Sequence, residues 1–91
     1  MRWETTVIDV GEIESGEKKY LRFLPLEALP EIKTHSASCG CSSVKVYPTE
    51  VQVTIKKSKA KHLRKQKFRI IIELYFKNGS FEELIINGII V

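Results

Sequence analysis

Two cysteines separated by a single glycine, Cys39-Gly40-Cys41, are the residues of this chain best suited to chemistry. On an extended strand, side chains two positions apart share a face and lie about 7 Å from each other. A turn at Gly40 would bring the two sulfur atoms close enough to hold a thiophilic metal ion or to bond to each other. His35 has the same parity, but it lies about 13 Å away along an extended strand and joins the pair only if the backbone bends.

Three interpretations of this cysteine pair stay open. A closed structural zinc site requires four ligands, whereas Cys39, Cys41 and His35 supply three at most. A disulfide between the two cysteines is the second interpretation. The third, which we favour, is that two small half-buried thiols pack at the end of a strand, beside a glycine that takes up an unusual backbone angle.

The segment of residues 56–69 is a second candidate site, because it carries eight basic residues and no acidic one. Its net charge of +8 leaves −4 for the rest of a chain whose total is +4. Clustered basic side chains bind polyanions by releasing counterions. The candidate contacts to a polyanion or to a protein partner are Lys56, Lys57, Lys59, Lys61, Arg64, Lys65 and Lys67.

Base stacking is not expected from this segment, because it has no aromatic residue before Phe68, whose parity places it in the core. Non-specific contact with a nucleic-acid backbone is therefore one hypothesis, and contact with an acidic protein is another. We favour a third, in which the segment is a solvated hairpin tip whose like charges oppose association between sheet edges.

The sequence lacks the patterns of common catalytic sites. It has no nucleophile motif and no glycine-rich phosphate loop. The neighbouring residues Glu82 and Glu83 point to opposite faces of a strand, which is the wrong geometry for a catalytic pair of carboxylates. We therefore predict a protein that is not an enzyme, binds no cofactor and has no small-molecule substrate.

The sequence also lacks the patterns of a membrane segment and of an export signal. The longest apolar stretch is interrupted by Asn87 and Gly88 and is shorter than the roughly 20 residues that a membrane helix needs. The first four residues do not begin a secretory signal peptide. We predict synthesis in the cytoplasm without a membrane partner, where both cysteines stay reduced unless a function uses them.

Period-two alternation of apolar and polar residues predicts the strands. Val51, Val53 and Ile55 form one such row, and Phe68 to Phe76 form a second that turns at Asn78-Gly79 into a strand reaching the end of the chain. Four more strands are predicted over residues 5–10, 19–23, 32–37 and 43–47. A chain of 91 residues builds one core. We predict a single domain over residues 1–91, an all-β immunoglobulin-like β-sandwich of about seven strands.

The first predicted strand is the candidate for an interface at a sheet edge. Edge strands carry unpaired backbone groups that can pair with another chain. The segment Thr5–Val10 has no proline and only Asp9 as an internal charge, so it is the least protected predicted edge. We predict that Trp3, Thr5 and Thr6 are covered by a protein partner or by a second copy of the chain.

Three segments resemble the bacterial domain-of-unknown-function family 1573, which is marked by Ser-Cys-Gly-Cys followed by Thr or Ser. Residues 38–42, Ser-Cys-Gly-Cys-Ser, are similar to its centre, residues 8–13 to its opening and residues 84–88 to its closing strand. The resemblance implies an immunoglobulin-like domain of the sperm-protein and pilus-chaperone type. Pro48-Thr49-Glu50 departs from the family's Pro-Gly, the basic loop is longer, and members of the family are commonly exported. The family has no assigned function, so the resemblance bears on the fold.

The predicted function is a non-enzymatic module for protein interaction or assembly. By analogy of fold, a free-standing domain of this size resembles small structural components of phage virions, in which immunoglobulin-like domains recur. One alternative is a thiol or metal-binding site at Cys39 and Cys41. The other is a non-specific nucleic-acid contact through residues 56–69.

Overall fold

The computed structural model describes residues 3–91, in which alternating apolar residues form seven strands. The seven strands are β1 Val7–Ile13, β2 Lys18–Phe23, β3 Ile32–Ala37, β4 Ser42–Tyr47, β5 Glu50–Lys56, β6 Gln66–Phe76 and β7 Phe81–Ile90. The predicted third strand has the observed bounds. The first strand begins two residues later than predicted and continues three residues further.

The strands form two sheets, one of four strands in the order β1-β7-β6-β3 and one of three strands in the order β2-β5-β4. All neighbours are antiparallel except β1 and β7, which are parallel. The second, fourth and fifth strands thus share one sheet and the third, sixth and seventh share the other, as in immunoglobulin sandwiches. The predicted fold class, an all-β sandwich of about seven strands, is confirmed.

The core lies between the two sheets, where β5, β6 and β7 turn their apolar rows inward. No polar or charged residue of the described part is buried. Phe68 lies in this core, as its parity predicts. The other core residues are Trp3, Ile13, Phe23, Leu29, Val51, Val53, Ile55, Ile70, Ile72, Leu74, Phe76, Leu84, Ile86 and Ile90.

Trp3 is a core residue, which corrects its predicted place in an interface. Only 1% of its surface is exposed, and its indole Nε1 donates a 2.8 Å hydrogen bond to the Glu82 carboxylate. Its backbone pairs with Pro25 in an isolated bridge. Thr5 is exposed and Thr6 half-buried, and the Thr6 carbonyl accepts a 2.8 Å hydrogen bond from the backbone N–H of Ile85. These two threonines lie in the segment that leads into β1.

Strand β1 is an edge strand, but the chain interrupts this edge. The register between β1 and β7 shifts between Asp9 and Glu12, and Gly11 has a φ of +68°. The Asp9 carboxylate accepts a 2.7 Å hydrogen bond from the Gly11 N–H. A bulge with an acidic residue on either side makes an edge a poor template for another strand. The first strand is therefore better protected than its composition predicts.

The basic segment is not a hairpin tip, because β5 and β6 belong to different sheets. Residues 57–65 cross from one sheet to the other at the end of the sandwich. Backbone bonds from Gly16 to Lys57 and from Lys59 to the Ser15 hydroxyl attach this crossing to the turn between β1 and β2. Residues 3–91 contain no helix long and apolar enough to cross a membrane.

Candidate functional site

The outward side of the four-stranded sheet carries an ordered set of side chains, called here the outer face. On β6 and β7, every second residue is buried in the core and the residues between them point outward. The backbone register then aligns these outward residues in rows across the sheet. From one end to the other, the rows on β6 and β7 are Lys67 with Ile89, Arg69 with Asn87, Ile71 with Ile85, Glu73 with Glu83, and Tyr75 with Phe81.

The middle row of the outer face is apolar. Ile71 pairs with Ile85 across the two central strands, and Val7 of β1 pairs with Ile85 on its other side. Both isoleucines are half-buried and Val7 is 47% exposed. No further layer of the described chain covers this row, so the outer face presents apolar side chains to its surroundings.

Charges of opposite sign flank the middle row. Arg69 stands two residues before Ile71 and Glu73 two residues after it, so the two are about 13 Å apart along β6. Glu83 lies beside Glu73, which makes this side of the row acidic. Arg69 donates a 3.1 Å hydrogen bond from its Nε to the Asn87 side-chain oxygen, which holds the guanidinium on the other side.

The acidic end of the outer face terminates in two aromatic rings. The centroids of Tyr75 and Phe81 are 5.1 Å apart, and the Tyr75 hydroxyl donates a 2.7 Å hydrogen bond to the Glu73 carboxylate. This bond, followed by partial desolvation and the negative charges of Glu73 and Glu83, raises the pKa of Tyr75 above its usual value of 10.0. Both rings are exposed, Tyr75 at 37% and Phe81 at 47%.

The opposite end of the outer face is recessed. A cleft of about 530 Å³ opens there, and Gly88 lies in its floor. Its other lining residues are Asp9, Lys67, Phe68, Arg69, Asn87 and Ile89. The outer face therefore has aromatic rings at its acidic end and a hollow at its basic end.

The cysteine turn, residues 39–42, joins β3 of one sheet to β4 of the other. Cys39 and Cys41 are linked by a disulfide with a Cα–Cα distance of 5.1 Å. The Ser42 backbone N–H and hydroxyl both donate to the Cys39 carbonyl, at 3.2 and 2.7 Å. These two bonds close the turn independently of the sulfur atoms.

Two donors converge on one of the two sulfur atoms. The Cys41 backbone N–H lies 3.1 Å from Cys39 Sγ, and Lys57 Nζ lies 3.8 Å from the same atom. Both cysteines are half-buried and pack against the core. The packing against the core agrees with the favoured interpretation, but the disulfide contradicts its two free thiols. The unusual backbone angle expected at Gly40 is also not found, since the glycines with positive φ are Gly11, Gly16 and Gly79.

The predicted metal ligands are not assembled. His35 lies exposed on the edge strand β3, and residues 3–91 contain no group of three or more side chains placed to hold a metal ion. The chain-entropy model gives a disulfide that closes a three-residue loop about 1.6 kcal/mol of stabilisation, roughly half the value for a 15-residue loop. Holding the fold together is therefore a minor role for this bond.

The basic residues of the segment 56–69 do not form one cluster but lie at different places on the surface. Lys57 reaches the cysteine turn, whereas Lys67 and Arg69 belong to the outer face. Lys65 pairs with Glu12 at 3.1 Å, and because both side chains are well exposed this ion pair adds little to stability. Lys56, Lys61 and Arg64 are exposed and Lys59 is half-buried. Binding of nucleic acid by this segment stays a prediction.

Sequence reasoning identified the cysteines and the basic segment but missed the outer face. The signal was available in alternate residues of β6, which change from basic through apolar to acidic along the strand: Lys67, Arg69, Ile71, Glu73 and Tyr75.

Comparison with protein-family models, with curated proteins and with solved structures found no match. The resemblance to the Ser-Cys-Gly-Cys family stays a prediction.

Proposed function

We propose that this protein is an interaction module that associates with a second copy of itself, outer face against outer face. The observation that carries the proposal is the self-complementary order of side chains about the row of Ile71 and Ile85. Oligomers of identical chains most often have twofold symmetry, in which each surface meets its own equivalent. An outer face suited to this symmetry must place unlike charges at equal distances on either side of its centre.

The charges on β6 meet that condition. The twofold axis lies between the outer faces of the two copies and runs across the strands along the middle row. Rotation about this axis sets β6 of one copy against β6 of the other with reversed direction. Arg69 of one copy then faces Glu73 of the other, and this contact occurs twice in the dimer. Ile71 and Ile85 meet their equivalents at the centre, where they lose their contact with water.

The shape of the outer face supports the same axis. Reversal of the strands brings the projecting rings of Tyr75 and Phe81 over the recessed end of the other copy, beside Lys67 and Ile89. A ring over a lysine ammonium gains cation–π attraction, and a ring over isoleucine buries apolar surface. An axis parallel to the strands would instead set Glu73 against Glu83, which opposes like charges.

A charge-exchange experiment tests this dimer. Arg69→Glu and Glu73→Arg each place like charges in contact twice, and we expect each to weaken dimerisation by about tenfold or more. The double variant R69E/E73R restores opposite charges and should dimerise again. Analytical ultracentrifugation over a range of protein concentrations measures each dissociation constant.

The matched control is Arg22→Glu, which makes the same charge change at an exposed residue of β2 in the other sheet. It should leave the dissociation constant unchanged. A wild-type protein that stays monomeric at about millimolar concentration contradicts the proposal. A double variant as weak as its two parents would contradict the axis across the strands.

A further inference from the structure

We propose that the cysteine turn is a site of thiol–disulfide exchange with a small anionic thiol. The inference is independent of the dimer, because the turn lies between β3 and β4 and not on the outer face. Three observations carry it: a disulfide between two half-buried cysteines on either side of one glycine, a turn that other bonds already close, and two donors directed at one sulfur.

The two donors decide which sulfur leaves. A thiolate is stabilised by a neighbouring ammonium and by backbone N–H groups, and a disulfide breaks faster when its leaving thiolate is stabilised. The Cys41 N–H and Lys57 Nζ both contact Cys39 Sγ. Cys39 is therefore the leaving sulfur, and Cys41 is the sulfur that an incoming thiolate attacks.

The reaction proceeds in two exchanges. The first thiolate attacks Cys41 Sγ, a new S–S bond forms, the bond between Cys39 and Cys41 breaks, and Cys39 leaves as a thiolate. A second thiolate then attacks the outer sulfur of this mixed disulfide, and Cys41 leaves. Two small thiols are thereby oxidised to one disulfide, the protein disulfide is reduced, and the protons released by the two thiols pass to Cys39 and Cys41.

The surrounding charge selects the thiol. Lys57 places an ammonium 3.8 Å from Cys39 Sγ, and the neighbouring Lys56 is bound through its backbone N–H to the Cys41 carbonyl. Positive potential raises the local concentration of an anion and lowers that of a cation. A thiol with net negative charge, such as glutathione, should therefore react faster than a cationic thiol of comparable reactivity.

The reduced turn should keep its shape. The Ser42 bonds to the Cys39 carbonyl and the 3.0 Å bond from the Lys56 N–H to the Cys41 carbonyl do not involve sulfur. Both cysteines then stay close after reduction, so the disulfide can form again. The variant C39S/C41S should accordingly keep the β-type circular dichroism spectrum of the parent protein.

The test is reduction of the oxidised full-length protein by glutathione, quenched with acid and an alkylating agent. Peptide mass spectrometry should find the mixed disulfide mainly on Cys41. Lys57→Gln should slow reduction by about threefold or more, since it removes a group that stabilises the leaving thiolate. Lys33→Gln is the matched control, because Lys33 is an exposed lysine at the far end of β3, and it should leave the rate unchanged.

Cysteamine and 2-mercaptoethanol supply a cationic and a neutral thiol for comparison. The attacking thiolate of glutathione carries more negative charge than that of 2-mercaptoethanol, and the thiolate of cysteamine is offset by its own ammonium. Raising the salt concentration should therefore slow the reaction with glutathione most and the reaction with cysteamine least. Mixed disulfide found mainly on Cys39, or equal rates for Lys57→Gln and Lys33→Gln, would overturn the assignment of the leaving sulfur. A disulfide that glutathione does not reduce would overturn the exchange site altogether.

Discussion

At the scale of single residues, this protein combines tight packing in the core with specific polar contacts at the surface. Gly88 illustrates the first, because it pairs with Phe68 across β6 and β7 and leaves room for the aromatic ring. Tyr75 illustrates the second, because its hydroxyl is bound to the Glu73 carboxylate. The packing at Gly88 can be tested by unfolding, and the hydrogen bond of Tyr75 by titration.

Replacing Gly88 with alanine should destabilise the protein. A Cβ atom at this position would lie 2.6 Å from Phe68 Cζ and 2.6 Å from Val10 Cγ2, so the core would have to shift. Overpacking of this kind costs about 1–3 kcal/mol. Urea unfolding measures the loss, and Gly40→Ala is the control because its Cβ would meet nothing within 4 Å. Equal stability of the two variants would show that the core accommodates the added methyl group.

The titration of Tyr75 should be displaced to high pH. Its hydrogen bond to Glu73 favours the neutral phenol and raises its pKa above 10.0. The folded state therefore keeps its proton longer than the unfolded state, so this contribution to stability is complete below pH 10.0 and is lost as the pH rises through the folded pKa. Ultraviolet absorbance of the phenolate in a Y20F/Y47F background follows Tyr75 alone, and Glu73→Gln should lower its midpoint. A midpoint that does not respond to this substitution would remove Glu73 as the cause.

At the scale of elements, the two ends of the chain stabilise one another. Strand β1 pairs in parallel with the last strand, β7, and Trp3, four residues before β1, is held by Glu82 of β7. Trp3 therefore links the last strand, through its side chain, to Pro25, through its backbone. Loss of the indole should lower the free energy of unfolding.

Replacing Trp3 with alanine tests this role. Truncation of a buried aromatic side chain typically costs about 3–5 kcal/mol, and we expect a loss of that size in chemical denaturation. Tyr20→Ala is the control, since Tyr20 is 73% exposed on β2 and should cost far less. If both variants unfold at the same denaturant concentration, Trp3 does not contribute to the core as its burial indicates.

At the scale of the whole molecule, the sandwich has different surfaces on its different sides. It measures 45 × 21 × 17 Å, with the ordered rows of the outer face on the four-stranded sheet and the basic crossing and cysteine turn towards one end. The proposed dimer uses the first of these surfaces and the proposed exchange site uses the second. The two activities are therefore separable by substitution.

Thermal stability should depend on protein concentration if the proposed dimer forms. Association of folded chains stabilises the folded state by mass action, so the Tm should rise as the concentration rises. Ile71→Lys places a charge at the centre of the outer face and should remove this dependence while leaving the monomer folded. Differential scanning calorimetry over a hundredfold range of concentration provides the measurement. A wild-type Tm that is constant over that range would argue against association.

The sequence alone determined which segments are strands and, for β5, β6 and β7, which side faces the core. Ile32–Ala37 has the predicted bounds, and Phe68 is buried as its parity requires, because the alternation of side chains along a strand is a local property. The cysteine pair and the basic segment were also visible, since both depend on residue types that are close in sequence. Their chemistry remained open at that level.

Only the tertiary structure decided which segments meet. The parallel pairing of β1 with β7, the burial of Trp3 against Glu82, and the contact of Lys57 with Cys39 join residues that are far apart in sequence. The outer face likewise exists only because β6 and β7 pair in one register and align their charges and rings in rows. A period-two pattern shows which side of a strand is apolar but does not specify the strand beside it. Pairing and register therefore follow from the packing of the complete core.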